Sequence, residues 1–588
     1  MGATEQPPRP STAVSKASLV PGRRRATSIR ALGVAVLAVL AGCIAGSPVP
    51  PNVLLVSIDT LRADRLGCYG AGAAETPAID GLARDGVRFD KAYSPLPLTL
   101  PAHWTLHTGL QPWRHGVVDN GMVLRHPAAP TLAESFSAAG YDTAAFVAAF
   151  VLNRTFGLDR GFARYDDGPD GERALELPLH TTAPADERVD SALAWLHQPR
   201  DRPFFLWLHL FDPHAPYEPP VGFRSRFSAR PYDGEVAFVD TQVARLLAAL
   251  DRLGANEDTI VVLVSDHGES LGEHGEQTHG VLLYDSTLRV PLIVRSPTSG
   301  KGKVRRDPAT LADVAPTVRA LAGLEPVEGL EGRDLFGGQW TEPRKLAAIS
   351  ESPERRLGWA SLIAIRDGNW KYIGGPRPEL YRLADDPGER RDLALVEPER
   401  RRGLAFDERT VEAQLRTRLA AGDAPSSDGD DETRARIEAL GYVTGSRRTS
   451  PIGIRPNPVE VIGSLARLDR AYQAFAEGRL RDSEALFLQI LEEADIAPGN
   501  ALEGLARLAR VERRNEDAEG FYQRLLDVDP EAVGAVAQLS ILSRERGDAA
   551  AAVRWARRLV QLAPRDAGAA RLLAEALNAA KGGKENSD

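Results

Sequence analysis

A chain of 588 residues exceeds one ordinary core, and at about 100 to 200 residues per domain it divides into two to four units. Its hydrophobic content of 43% and charged content of 26% are those of a globular protein, and a net charge of -9 excludes the electrostatic footprint of a nucleic-acid partner. Two cysteines, Cys43 and Cys68, exclude a disulfide framework and a cysteine-rich metal site.

The chain begins with a basic stretch, Arg23, Arg24, Arg25 and Arg30, followed by an apolar run from Ala31 to Ala41 and by Leu40-Ala41-Gly42-Cys43. Positive, apolar, small is the order of a signal peptide. A run of about a dozen residues is too short for a helix to cross ~30 Å of hydrocarbon. Leu-Ala-Gly-Cys resembles the lipobox of bacterial lipoproteins, which implies a signal peptide over 1–42, cleavage before Cys43 and lipidation of its thiol. A linker over 43–51 would then tether an exported protein to the membrane, in the periplasm or on the outer membrane. Ile44 in place of an aspartate favours the outer membrane by that family's sorting rule.

The next predicted element is a buried strand, NVLLVSID from Asn52 to Asp59, followed by a helix over Pro77 to Arg84 and another from Pro101 to His107. Apolar runs YDTAAFVAAF and FFLWLHLFD read as strands, Thr241 to Leu253 as a helix, and TIVVLVSD from Thr259 to Asp266 as a second strand ending in a carboxylate. This alternation predicts an α/β fold, a mostly parallel sheet sandwiched by helices, over 52–395. Sites in such sheets form beyond the carboxyl ends of strands, where Asp59, Asp212 and Asp266 stand.

Charge density from 396 to 457, greatest at Asp428 to Glu432, predicts a linker with short helices. From Pro458 the composition turns to Ala, Leu, Arg and Glu at helical spacing. Asp482-Ser483-x-x-x-Phe487, Asp517-Ala518-x-x-x-Tyr522 and Ala551-Ala552-x-x-x-Ala556 recur at about 34 residues, the tetratricopeptide period. An all-α helical-repeat domain over 458–582 follows, with an ordinary helical bundle as the alternative and 583–588 as a disordered tail.

All eleven histidines lie between His103 and His279, so chemistry belongs upstream of the repeats. In LPLTLPAHWTLHTGLQPWRHG, Pro101 suits a first helical turn. The Thr99 hydroxyl would then sit at a helix amino end, which favours anions; a plain N-cap is the other reading. Asp59, Asp266 and His267 add oxygen and nitrogen ligands for one divalent cation, with Thr99 as a further ligand. Coordination would activate that hydroxyl as a nucleophile. The donor set suits Mn, Ca or Zn.

Seven ordered blocks, VSIDTLRADRLGCYG, TPAIDGLARDGVRF, LTLPAHWTLHTGLQPWRHGV, FDPHAPYEPP, SDHGESLGEHG, HGVLLYDSTLRVPLIV and NWKYIGGPRPELYRLADDPGERRDLA, resemble the signature blocks of the sulfatase family of the alkaline phosphatase superfamily. The resemblance implies that family's fold over residues 51 to 395. It departs where it matters for chemistry: Thr99 and His103 stand where the family has a Cys or Ser and an Arg, which rules out formylglycine at residue 99. Thr60 and His267 replace one aspartate and one asparagine. Threonine with Asp, Asp and His is similar to phosphodiesterases, phosphonate hydrolases and phosphoethanolamine transferases of the superfamily. Asn120 matches an asparagine that such phosphodiesterases place on the oxyanion. The resemblance further implies His214 and His279 as general acid and anion contact, and His103 as a contact to the transferred group. It leaves room for a second metal on Asp212, His214 and His279. His115 and His274 read as surface or second-layer residues, and Arg62 and Lys91 as fold or solvent residues.

Together these imply a metal-dependent hydrolase of anionic esters (phosphodiester, phosphonate or sulfate) acting through a covalent Thr99 intermediate at the cell envelope. Two alternatives stand beside it: a phosphoethanolamine-type transferase, and a repeat-based interaction protein with a vestigial catalytic domain. The repeats would be the docking site for any protein partner.

Overall fold

In the computed structural model, which describes residues 50–168, 183–338, 343–425, 455–492, 498–564 and 567–585, the chain forms an eight-stranded sheet with a helical layer on each face. The strands are β1 (Asn52–Ile58), β2 (Val87–Phe89), β3 (Asp142–Phe146), β4 (Arg164–Asp166), β5 (Phe204–Leu210), β6 (Thr259–Ser265), β7 (Leu292–Arg295) and β8 (Lys303–Arg305). Their order across the sheet is β8-β2-β7-β6-β1-β5-β3-β4. Only β7 runs antiparallel to its neighbours; the other pairings are parallel. The predicted α/β class is therefore what folds. β5 and β6 are buried along their full length, as continuous apolar runs in a doubly covered sheet require.

Alternation along β1 divides its side chains between two cores. Val53 and Leu55 pack with Leu100, Trp104 and Leu106 of helix α2 (Thr99–Thr108). On the other face Leu54, Val56 and Ile58 pack with α1 (Pro77–Asp85), α3 (Ala185–Leu196) and α4 (Pro231–Arg252). The helix expected over Thr241 to Leu253 thus begins ten residues earlier, where Pro231 occupies its first turn.

A second, antiparallel sheet of β9 (Lys345–Ser350), β10 (Leu362–Asp367), β11 (Trp370–Gly374) and β12 (Glu379–Arg382) follows. Behind it, residues expected to form a linker with short helices form one 22-residue helix, α5 (Pro398–Leu419). Its surface is so rich in Arg and Glu that the periodicity is faint. Leu404 and Leu415, eleven residues or three turns apart, nevertheless enter the main core. The most polar part of the linker, Asp428 to Glu432, lies outside the described residues.

After Pro458 the chain is all helical: α6 (Leu465–Ala476), α7 (Leu480–Glu492), α8 (Pro498–Val511), α9 (Asn515–Val528), α10 (Val533–Glu545), α11 (Ala549–Leu562) and α12 (Ala567–Glu585). The last helix continues through residues 583 to 585, which had been expected to be tail. Each helix packs against the next in sequence. The first of them share an apolar cluster with the α/β part: Leu468, Phe487 and Leu505 lie with Val281, Leu283, Leu357 and Trp359. No helix among the described residues is long and apolar enough to cross a membrane. The signal peptide and Cys43 lie outside the described residues.

Candidate active site

Parallel pairing sets the site. Ile58, the last residue of β1, is in register with Ser265, the last of β6, so Asp59 and Asp266 leave the sheet side by side. Thr60 turns the chain away with φ of 52°, a left-handed conformation that a β-branched residue adopts only when its surroundings impose it. Its amide donates to Asp266 Oδ1 at 3.3 Å and its hydroxyl to the Pro213 carbonyl at 2.8 Å. Gly268 is required by close approach: a Cβ there would lie 2.1 Å from the Ser286 carbonyl oxygen.

Helix α2 starts at Thr99 itself, two residues ahead of its expected limit, with Leu98 as the cap residue. The N-cap alternative for Thr99 is therefore not realised. Its hydroxyl makes no capping bond and lies 3.4 Å from His267 Nε2. That same nitrogen is 3.6 Å from Asp59 Oδ1 and 3.6 Å from Asp266 Oδ2. All four expected metal ligands thus surround one point, and all are buried.

Whether a cation fits there is a question of donors. Both Asp59 oxygens and Asp266 Oδ2 are buried without a hydrogen-bond donor, which for a carboxylate is costly unless a cation supplies the missing charge. Asp59, Asp266 and His267 offer ligand atoms within 4.8 Å of one another. His267 Nδ1–H donates to the Gly268 carbonyl at 3.0 Å, which leaves the Nε2 lone pair facing the carboxylates. Burial pushes the Asp59 carboxyl above its ordinary range against the pull of His214 and His267. It pushes Asp266 up to about 7, with the charge of Asp59 adding to the effect. Burial also lowers His267 to about 4, so the imidazole is neutral and fit to bind metal. The residues therefore fit a divalent cation.

A second grouping, His103, His209 and Asp266, is equally compact, but His103 is committed elsewhere. Its Nδ1–H donates to the Thr99 carbonyl at 2.8 Å, and its Nε2 meets Ser57 Oγ at 3.0 Å, where Trp207 Nε1 also donates at 2.9 Å. His103 was expected to touch substrate. It lies wholly buried beneath Thr99 and braces that residue through its carbonyl.

Asn120, expected as the oxyanion contact, lies beside the start of α2. Its Oδ1 accepts from Leu100 N at 3.0 Å, beside Thr99, and its Nδ2 is buried with no acceptor, aimed by the same bond that fixes the other half of the amide. His279 Nδ1 meets Glu269 Oε1 at 3.0 Å, and its ring stands 4.5 Å from that of His267 and 5.0 Å from that of His214. His214 Nδ1–H donates to the Ala215 carbonyl at 2.7 Å. The second-metal trio does not assemble. Asp212 Oδ2 accepts from Ala185 N at 3.0 Å, where it anchors the start of α3, and among the described residues it joins no metal-type cluster.

Sequence reasoning missed three participants. His209 is the one polar residue of FFLWLHL; it is in register with Ser57, and its Nε2 lies 3.5 Å from Asp59 Oδ2. Glu269, two residues past His267, backs His279 and is pushed up to about 7 by burial. Arg356, from a part of the chain with no motif, pairs with Asp119, the residue before Asn120. Of the residues set aside, His115 is buried against Thr105 at 3.0 Å and His274 stacks on Tyr284 at 3.5 Å. Arg62 is a fold residue: it is buried, pairs with Asp64 and Glu273, and donates to the Glu269 carbonyl at 3.0 Å.

Comparison with known proteins agrees with this geometry. Residues 51–324 match the sulfatase family model. The chain is 28% identical over 422 residues to the uncharacterized sulfatase YidJ of Escherichia coli (strain K12), covering 58% of this chain and 83% of the relative. It is 26% identical over 471 residues to human arylsulfatase A, covering 65% and 91%. The crystal structure of the phosphonate monoester hydrolase of Agrobacterium radiobacter superposes with a TM-score of 0.53 at 25% identity, covering 64% of this chain and all of the other. The strand-end carboxylates and the helix-start hydroxyl all lie within residues 51–324, the part of this chain that matches the sulfatase family model.

Proposed function

We propose that this chain hydrolyses anionic esters through a covalent intermediate on Thr99, using one divalent metal ion held by Asp59, Asp266, His267 and the Thr99 oxygen. The observation that carries this reading is the set of three buried, donor-less carboxylate oxygens beside a hydroxyl at a helix start. The bound ion would lower the hydroxyl pKa and screen the two carboxylates from the incoming anion.

The chain's own groups account for the rest. Thr99 Oγ1 forms the new bond to phosphorus or sulfur as the bond to the leaving oxygen breaks. Asn120 Nδ2 donates to a non-bridging oxygen, and the amino end of α2 adds its dipole to the same charge. His279, with the proton store of Glu269 behind it, protonates the leaving oxygen, and His214 stands against its ring. Water then attacks the same central atom and frees Thr99. A threonyl ester has no carbonyl to collapse to, so discharge needs this second attack, which phosphoryl and phosphonyl centres accept readily. We therefore place phosphodiesters and phosphonate esters ahead of sulfate esters, in line with the likeness to a phosphonate monoester hydrolase.

The test is one panel of para-nitrophenyl sulfate, phosphate, phosphodiester and phosphonate with Mn, Ca or Zn, run on the wild type and on Thr99→Ala. Metal-dependent turnover, highest on diester or phosphonate and lost in Thr99→Ala, is expected. Turnover that survives Thr99→Ala would remove the covalent step from the reading.

The same reading places the protein at the cell envelope, anchored through Cys43, with the helices after Pro458 as a tetratricopeptide-like stack. Helix starts at 465, 498, 533 and 567 support the repeat. Incorporation of labelled palmitate that persists in Cys43→Ser would rule the anchor out.

A further inference from the structure

We propose that the helical region after Pro458 is a working part of the Thr99 site: Ile462 and Leu468 are positioning residues that hold segment 276–284, and with it His279, against the start of α2. The inference rests on the hydrolase reading above, in which His279 protonates the leaving oxygen.

Segment 276–284 runs irregularly between a 3₁₀ turn, Glu273–Gly275, and the short helix that starts at Asp285. Irregular backbone is fixed only by its own bonds and by what covers it. Its own bonds close one turn: the buried Glu276 carboxylate accepts from Val281 N at 2.9 Å and Leu282 N at 3.3 Å, and the Thr278 carbonyl accepts from Ser270 N at 2.7 Å. The rest depends on cover. Val281, Leu282, Leu283 and Tyr284 are consecutive and all buried, and successive side chains of such a run point to different sides, so two surfaces must close over it.

One surface belongs to the α/β part. Gly280, with φ of 102°, sits so close to Leu98 that a Cβ would lie 3.3 Å from Leu98 Cδ2. Leu98 is the residue before Thr99 and the cap of α2, so this contact sets the loop's distance from the Thr99 hydroxyl. The helical region supplies the other surface. A Cβ at Gly275 would lie 3.1 Å from Ile462 Cγ2, and the run from Val281 to Tyr284 shares its apolar cluster with Ile462, Leu468, Phe487 and Leu505. His279 is therefore one residue from the glycine seated on Leu98 and two from the first residue of that cluster. A domain serving only as a docking arm would need no such seat, because domains joined merely by a linker move relative to one another. A reacting group displaced by 1 Å loses about 100-fold in rate, so packing at this distance from His279 reaches the chemistry.

The test uses the full chain as wild type, Ile462→Ala, Leu468→Ala, the volume-conserving Leu468→Met, and Leu539→Ala as control. Leu539 is fully buried in a separate cluster of the later helices. Two properties are read: kcat on a phenyl and a para-nitrophenyl diester, of which the poorer leaving group needs the proton more, and hydrogen exchange of the amides in 276–284. Ile462→Ala and Leu468→Ala are expected to lower kcat on the phenyl ester about 10- to 100-fold and on the para-nitrophenyl ester under about threefold. They should also speed exchange at Val281 and Leu282 about tenfold. Leu468→Met should stay near wild type in both properties, and Leu539→Ala should lower Tm while leaving the ratio of the two rates and the loop's exchange unchanged. Equal losses on the two esters, or unchanged rates and exchange in folded Ile462→Ala and Leu468→Ala, would overturn the proposal, as would a Leu539→Ala that matched them. If the wild type turns over neither ester while exchange responds as stated, the hydrolase reading fails and the helical seat of segment 276–284 stands.

Discussion

At the scale of single residues, the division between structure and chemistry follows from where polar atoms find partners. His103 and Asp212 spend their hydrogen bonds on backbone and hydroxyl groups, whereas Asp59 keeps both oxygens without a donor. Asp59, Thr99, Asp266 and His267 were legible in the sequence because strand ends and a proline-marked helix start expose them to reasoning. His209 was not, since a histidine within an apolar strand has no local sign of which neighbour it faces. Glu276 carries a consequence for pH. It accepts from Val281 N at 2.9 Å and holds the loop after His279, and burial outweighs those amides, pushing its carboxyl from 4.5 up to about 8. A raised carboxyl favours the protonated folded state, so its contribution is intact below pH 4.5 and is lost as pH climbs through about 8. Thermal melts between pH 5 and 9 should therefore decline less steeply in Glu276→Gln than in wild type.

Among the elements, two matter more than their sequences suggest. Starting α2 at Thr99 brings the hydroxyl into the first turn, where the amide dipoles are unsatisfied by other backbone. Helix α5, an Arg- and Glu-rich segment that reads as linker, closes the second sheet with Leu404 and Leu415 and lends Arg416 to the turn that carries Arg356. Leu415 is fully buried, so Leu415→Ala should cost about 2 to 5 kcal/mol in a denaturant titration. If the change costs under about 1 kcal/mol, α5 is an accessory helix and not part of the core. The predicted strands at Asn52, Phe204 and Thr259 formed where expected because buried parallel strands announce themselves as unbroken apolar runs.

For the whole molecule, the metal is expected to act on stability as well as chemistry. Two buried carboxylates side by side repel, and an ion that binds only the folded chain adds about 2.7 kcal/mol at a hundredfold excess over its Kd. Calorimetric scans with EDTA and then with Mn should show Tm falling and recovering, and Asp266→Asn should abolish the response. An identical Tm in both conditions would place the ion elsewhere. The helices after Pro458 are joined to the catalytic part through the cluster of Leu468, Phe487, Val281 and Trp359, next to the segment that bears His279.

By itself the sequence determined the α/β class and the position of the helical region, and it singled out Asp59, Thr99, Asp266 and His267, which the fold brings together, because apolar runs, helical spacing and strand-end carboxylates are local patterns. The tertiary structure alone decided that His103 lies beneath Thr99, that His209 stands against Asp59 and Glu269 against His279, and that Arg356 pairs with Asp119 from more than two hundred residues away. Those facts depend on strand register and on the docking of a second sheet, and contacts between distant segments leave no periodic trace in either segment.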